Sequence, residues 1–135
     1  MNTVEAFAAV ALAAIACDDA LNHDEAHSLR QQLEHRTPYN TYSDKEIGEL
    51  FDNLLLKIRQ GGVYALVDHA LPVLTACQQE SALAVAAQLA YADRTISKAE
   101  RNFLEYLSGR LSIPKQDAQR IIAAIEALNR DSLAP

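Results

Sequence analysis

Tryptophan is absent from this sequence, and glycine and proline number only four each. A β-sandwich or barrel uses glycine and proline at its many turns and aromatic rings on its sheets, so the supply argues against an all-β fold. Cysteine is nearly missing too. Cys17 and Cys77 fall inside apolar helical patterns rather than in a spaced framework. They read as small, reduced core residues of an intracellular protein. Positive charge is also short, with 12 Lys and Arg against 18 Asp and Glu and a net charge of −6. Nucleic acid is therefore not an expected partner, since phosphate binding needs clustered basic side chains. No stretch reaches eighteen uninterrupted apolar residues, the length a membrane span requires. The run over residues 4–16 comes nearest, but it carries Glu5 and lacks a basic leader. It reads as a buried first helix rather than a signal peptide, and a cytoplasmic location is expected. Gly-rich phosphate loops, nucleophile elbows and Cys–His constellations are missing as well, so catalysis is not expected.

What the chain does hold is alanine and leucine, within a composition that is 50% hydrophobic. Its length of 135 residues fits one domain spanning residues 1–135, with a real core. The periodicity predicts an all-α bundle of seven helices. The first, from about Val4 to Cys17, is apolar nearly all round, as a central helix would be. The second turns Ala26, Leu29 and Leu33 inward and ends before Pro38. The third opens on the capping box Ser43 to Glu46, carries Ile47, Leu50, Phe51, Leu54, Leu55 and Ile58, and stops at Gly61-Gly62. A fourth follows with Leu66, Val67, Ala70 and Leu71 inward and a kink or break near Pro72. The fifth, alanine-rich, runs from about Gln79 to Ala92; the sixth begins at the box Ser97 to Glu100. The seventh begins near Pro114 and uses Ala118, Ile121, Ile122, Ile125 and Leu128.

One pattern occurs twice. Cys17-Asp18-Asp19-Ala20-Leu21-Asn22-His23-Asp24-Glu25 and Ala92-Asp93-Arg94-Thr95-Ile96-Ser97-Lys98-Ala99-Glu100 each run from the end of a small-residue helix into an Asp. An aliphatic residue, a cap and a Glu follow in the same frame. Helices one and two and helices five and six thus read as one hairpin used twice. Close packing of the two alanine-rich helices would bring both bends to one end of the bundle. The four carboxylates Asp18, Glu25, Asp93 and Glu100 are the candidate site, with Asp19, Asn22 and Asp24 as supplementary oxygen donors.

These residues resemble the TerB family of tellurite-resistance proteins and the related N-terminal region of DjlA-type co-chaperones. The likeness is carried by residues 16–25 and 89–100 and extends more loosely over nearly the whole chain. It implies an all-helical fold, an acidic surface and a role in stress or metal-oxyanion resistance. The family's usual Gly after each Asp is replaced by Asp19 and Arg94. Asp tolerates a positive φ better than Arg does, so the two corners are expected to differ in shape.

Like charges gathered without a partner repel, and a divalent cation removes that cost. An all-oxygen donor set suits Ca²⁺, Mg²⁺ or Mn²⁺ better than Zn²⁺. His23 and His27, four apart on one helix, form a weaker alternative for zinc or nickel, against solvated histidines as the ordinary reading. Capping accounts for Glu25 and Glu100 singly, and turn formation for Asp18 and Asp93. Neither accounts for the Asp-to-Glu spacing recurring. The sequence leaves two readings of different class: a domain binding a divalent cation at twin acidic corners, or an interaction module whose acidic face docks a basic protein partner without metal. Oligomeric state is not legible.

Overall fold

The structure, a computed structural model, describes residues 1–18, 23–92 and 95–135, and within its second helix it leaves aside the side chains of His23 and Asp24. Among the described residues it is all-helical, with no strand. The helices are α1 (Thr3–Ala16), α2 (His23–Glu34), α3 (Asp44–Ala70), α4 (Ala76–Tyr91), α5 (Lys98–Arg110) and α6 (Lys115–Leu128). Short 3₁₀ turns at Tyr39–Thr41 and Leu71–Val73 precede α3 and α4.

The helices form where the caps say they should. Asn2 and Glu5, Ser43 and Glu46, Thr75 and Gln78, and Ser97 and Glu100 all make reciprocal capping boxes. Each box satisfies the third amide of its helix and the amide of the cap itself. Against the expected seven, the described residues form six α-helices, because the third and fourth join into α3. They join across a kink rather than a loop. Gly62 sits at φ 86° and ψ 167°, a region essentially closed to residues with a Cβ. Gly62→Ala should therefore destabilise by about 1–3 kcal/mol by urea unfolding, although no atom blocks the added Cβ. Gly61→Ala next door, where φ is not positive, should change stability by no more than about 1 kcal/mol. Pro72 ends the helical ladder as anticipated, inside the 3₁₀ turn after Ala70.

α1 is the axis of the molecule. Every residue from Ala8 to Ile15 is buried, which leaves almost no solvent-facing stripe. α1 lies against α3 on one side and α4 on another, with α2 and α5 touching it less extensively, while α6 packs on α4. The alanines Ala6, Ala9 and Ala13 of α1 and Ala82, Ala86 and Ala90 of α4 are fully or almost fully buried, and the short side chains permit close backbone approach. Around them Leu54, Val67, Leu83, Phe103 and Leu107 fill the core.

Three expected core residues face solvent instead. Ala26 is exposed, because α2 meets the core through Leu29 and Leu33 in its later turns. Cys77 is exposed, because α4 starts at Ala76 rather than near Gln79 and so holds Cys77 in its first turn. Leu128, 73% exposed, is the last residue of α6, and that helix buries only Ala118 completely. Below it, Asn129 donates from Nδ2 to Gln88 Oε1 at 2.8 Å and ties the end of α6 to α4.

Candidate functional site

The first acidic corner leaves the C-terminal end of α1, and the second enters the N-terminal end of α5. The α1 helix closes on Cys17, whose backbone remains right-handed helical, and Asp18 follows immediately. Ser97 caps α5: its Oγ accepts from the Glu100 amide at 3.1 Å, and its own amide donates to Glu100 Oε1 at 3.0 Å. Ser97 then does one thing a cap does not require. Its hydroxyl also donates to Asp18 Oδ2 over 3.5 Å, a long hydrogen bond between residues 79 positions apart. The residue that follows α1 therefore lies beside the N-cap of α5, and the cap of the second corner touches the first acid of the other.

Cys17 reports the charge that this creates. Its Sγ lies 3.3 Å from the Ala14 carbonyl oxygen, to which it donates, and the residue is half-buried. Its pKa is pushed up to about 12, first by burial and then by the carboxylates of Glu100, Asp18 and Glu25. A thiolate there would enter a negative field with poor solvation, so the thiol stays protonated at neutral pH. The role expected for it, a small core residue, holds only in part: the side chain is half-buried at the core's edge.

Of the four principal acids, Asp18, Glu25 and Glu100 each add to the negative field felt by the Cys17 thiol, while Asp93 lies outside the described residues. So do Asp19 and Asn22, and the Asp24 and His23 side chains are likewise outside the description. The His23–His27 alternative accordingly has only His27 in view, exposed on α2. Among the described residues, no group of three or more His, Cys, Asp or Glu side chains is set to hold a metal ion. Tyr91 is half-buried; burial and then the Glu126 carboxylate of α6 raise its phenol pKa, so the ring serves the α4–α6 contact.

A family model described as "Tellurite resistance protein TerB" matches residues 4–123. The chain belongs to the TerB family. No curated protein and no solved structure matches it. The TerB match spans α1 through most of α6 and so includes both corners. Within this TerB-family chain, sequence reasoning found the Ser97–Glu100 cap of the second corner, while the expected Asn22–Glu25 cap of the first rests on Asn22, outside the described residues. The same reasoning missed the Ser97 hydroxyl reaching Asp18, because no periodicity encodes a contact between a cap and a distant turn. Cys17, read as packing alone, was detectable as the one thiol directly preceding a corner acid. No helix among the described residues is long and apolar enough to cross a membrane.

Proposed function

We propose that this chain is a non-enzymatic TerB domain serving tellurite or stress resistance, and that its twin acidic corners bind a divalent cation. The observation that supports it is the Ser97–Asp18 hydrogen bond, which brings the first acid of one corner to the cap of the other. Asp18, Glu25 and Glu100 also share in the negative field that raises the Cys17 pKa, which favours a cation in that region. The hairpins α1–α2 and α4–α5 are, in this reading, two copies of one unit whose bends share a ligand. The described acids do not make a complete binding shell by themselves. Completion falls to Asp93, Asp19, Asn22 and Asp24. The donors are all oxygens, which favours Ca²⁺, Mg²⁺ or Mn²⁺ over Zn²⁺.

A cation held only by the folded state stabilises by RT ln(1 + [L]/Kd), about 2.7 kcal/mol at a hundredfold excess over Kd. For a chain of this size that is a rise in Tm of roughly 8 °C. Scanning calorimetry with calcium, magnesium, manganese and zinc, against sodium at matched ionic strength, should show a saturable rise with at least one of them. The double variant Asp18→Asn with Asp93→Asn should abolish it. Cys17 supplies a second readout, since a bound cation offsets the carboxylates that raise its pKa. Its alkylation by iodoacetamide at pH 8.5 should quicken on cation binding. If no ion raises Tm beyond the sodium control, the cation reading fails, and the acidic corners are better taken as a docking face for a basic protein.

A further inference from the structure

A cleft of about 310 Å³ opens at the opposite end of α1 from the corners, between the start of α1, the turn after α2 and the start of α4. Its apolar surface comes from Val4, Phe7, Pro38 and Tyr39. Phe7 and Tyr39 have ring centroids 6.4 Å apart, and the Tyr39 hydroxyl is committed inward as a donor to the Val4 carbonyl oxygen. Burial raises the pKa of that phenol above its ordinary value, so the ring is a neutral, fixed wall. Arg36 completes the cleft with its guanidinium carbon 5.4 Å from the centre of the Phe7 ring. In a chain carrying a net charge of −6, no carboxylate among the described residues lines this cavity, and Arg36 is the one charged residue among those that line it.

We infer that this cleft binds a small organic anion, a carboxylate carried on a flat or short apolar body. A cation fixed above an aromatic ring, beside further apolar wall, offers both halves of such a ligand a partner. A guanidinium offers a carboxylate a planar fork of donors, and its place over the Phe7 ring keeps that charge beside the apolar wall. The first turns of α1 and α4, which bring Thr3 and Cys77 to the rim, add positive dipole ends of the same sign. The volume lies at the small end of ligand sites, enough for a single ring and its carboxylate but not for a nucleotide. A neutral apolar compound would leave the cation unmatched, and a bare anion such as acetate would leave the apolar wall wet.

Cys77 makes the idea measurable, because it is an exposed thiol on the cleft wall. Iodoacetamide, itself uncharged, would be used to follow Cys77 alkylation by peptide mass spectrometry with benzoate, phenylacetate or hexanoate present. At least one of the three should slow the reaction fivefold or more and saturably, whereas benzamide and acetate should not. Arg36→Gln should remove the protection and Arg36→Lys should retain part of it, with the unfolding transition confirming that both variants fold. Protection by none of the three carboxylates overturns the inference. So does equal protection by benzamide, or protection undiminished in Arg36→Gln, either of which would indicate an apolar surface indifferent to charge.

Discussion

Replacing Gln79 with leucine should lower the stability of this protein by about 2–4 kcal/mol, a large effect for one surface-sized polar side chain. Gln79 is only 2% exposed, and its amide is the junction of two connections. Nε2 donates to the carbonyls of Leu71 at 2.9 Å and Leu74 at 3.3 Å, in the turn between α3 and α4. It also lies 3.2 Å from Ser112 Oγ, while Oε1 accepts from the Ser112 amide at 2.7 Å in the link from α5 to α6. Leucine matches the volume but leaves the buried Leu74 carbonyl without this partner, at about 1–3 kcal/mol, and removes the part-buried bond to the Ser112 amide, which adds a smaller cost. Gln79→Glu separates packing from bonding. Its carboxylate could still accept from Ser112, yet when ionised it has no proton for the two carbonyls. Such a group is stabilised in its neutral form, so its folded pKa is raised. That variant should come closest to wild type at low pH and lose stability as pH rises through the ordinary glutamate range. Urea unfolding at pH 4 and pH 7 measures both.

Phe103→Ala should cost about 3–5 kcal/mol, the range for removing a buried aromatic side chain and leaving a cavity. Phe103 is fully buried in α5, and the Tyr64 ring from α3 lies 6.2 Å away, centroid to centroid. It is the largest of the fully buried side chains, so its removal opens the largest void a single truncation can make here. Because small domains hold about 5–15 kcal/mol in all, the variant should melt far below the wild type or populate unfolded chain at room temperature. Phe103→Leu keeps most of the apolar volume and should cost less than half as much, about 1.5 kcal/mol. A guanidinium titration of the three proteins distinguishes a cavity effect, which scales with volume, from loss of the Tyr64 ring contact, which does not.

Local instructions in this chain were readable wherever a residue's own chemistry sets the backbone. Ser43 with Glu46 and Ser97 with Glu100 cap helices where the sequence places them. Gly62 interrupts its helix and Pro72 ends one. The box of Thr75 and Gln78 was overlooked because glutamine there stands in for the commoner glutamate, and that shifted the start of α4 and misplaced Cys77. Asn2 with Glu5 escaped for a similar reason, hidden before a run that reads as helix anyway. What pattern cannot supply is which distant side chains meet. Gln79 looks like any surface glutamine until the turn and the loop beside it are folded around it. Arg36 on Phe7 and Ser97 on Asp18 join elements far apart in the chain, and no period of 3.6 residues encodes either. The acids of the candidate site were legible as a recurrence; the field that Glu100, Asp18 and Glu25 exert on Cys17 depends on how the helices are stacked.

The alanines of α1 carry one consequence beyond packing. Ala6, Ala8, Ala9, Ala11, Ala13 and Ala14 have no χ angles to lose, so the middle of the molecule becomes ordered with almost no sacrifice of rotamer freedom. The same economy removes its capacity to adjust. A leucine or methionine can swing aside when a neighbour changes size, but a methyl group cannot, so strain introduced beside α1 has to be taken up by moving whole helices. The hub is inexpensive to assemble and unforgiving once assembled.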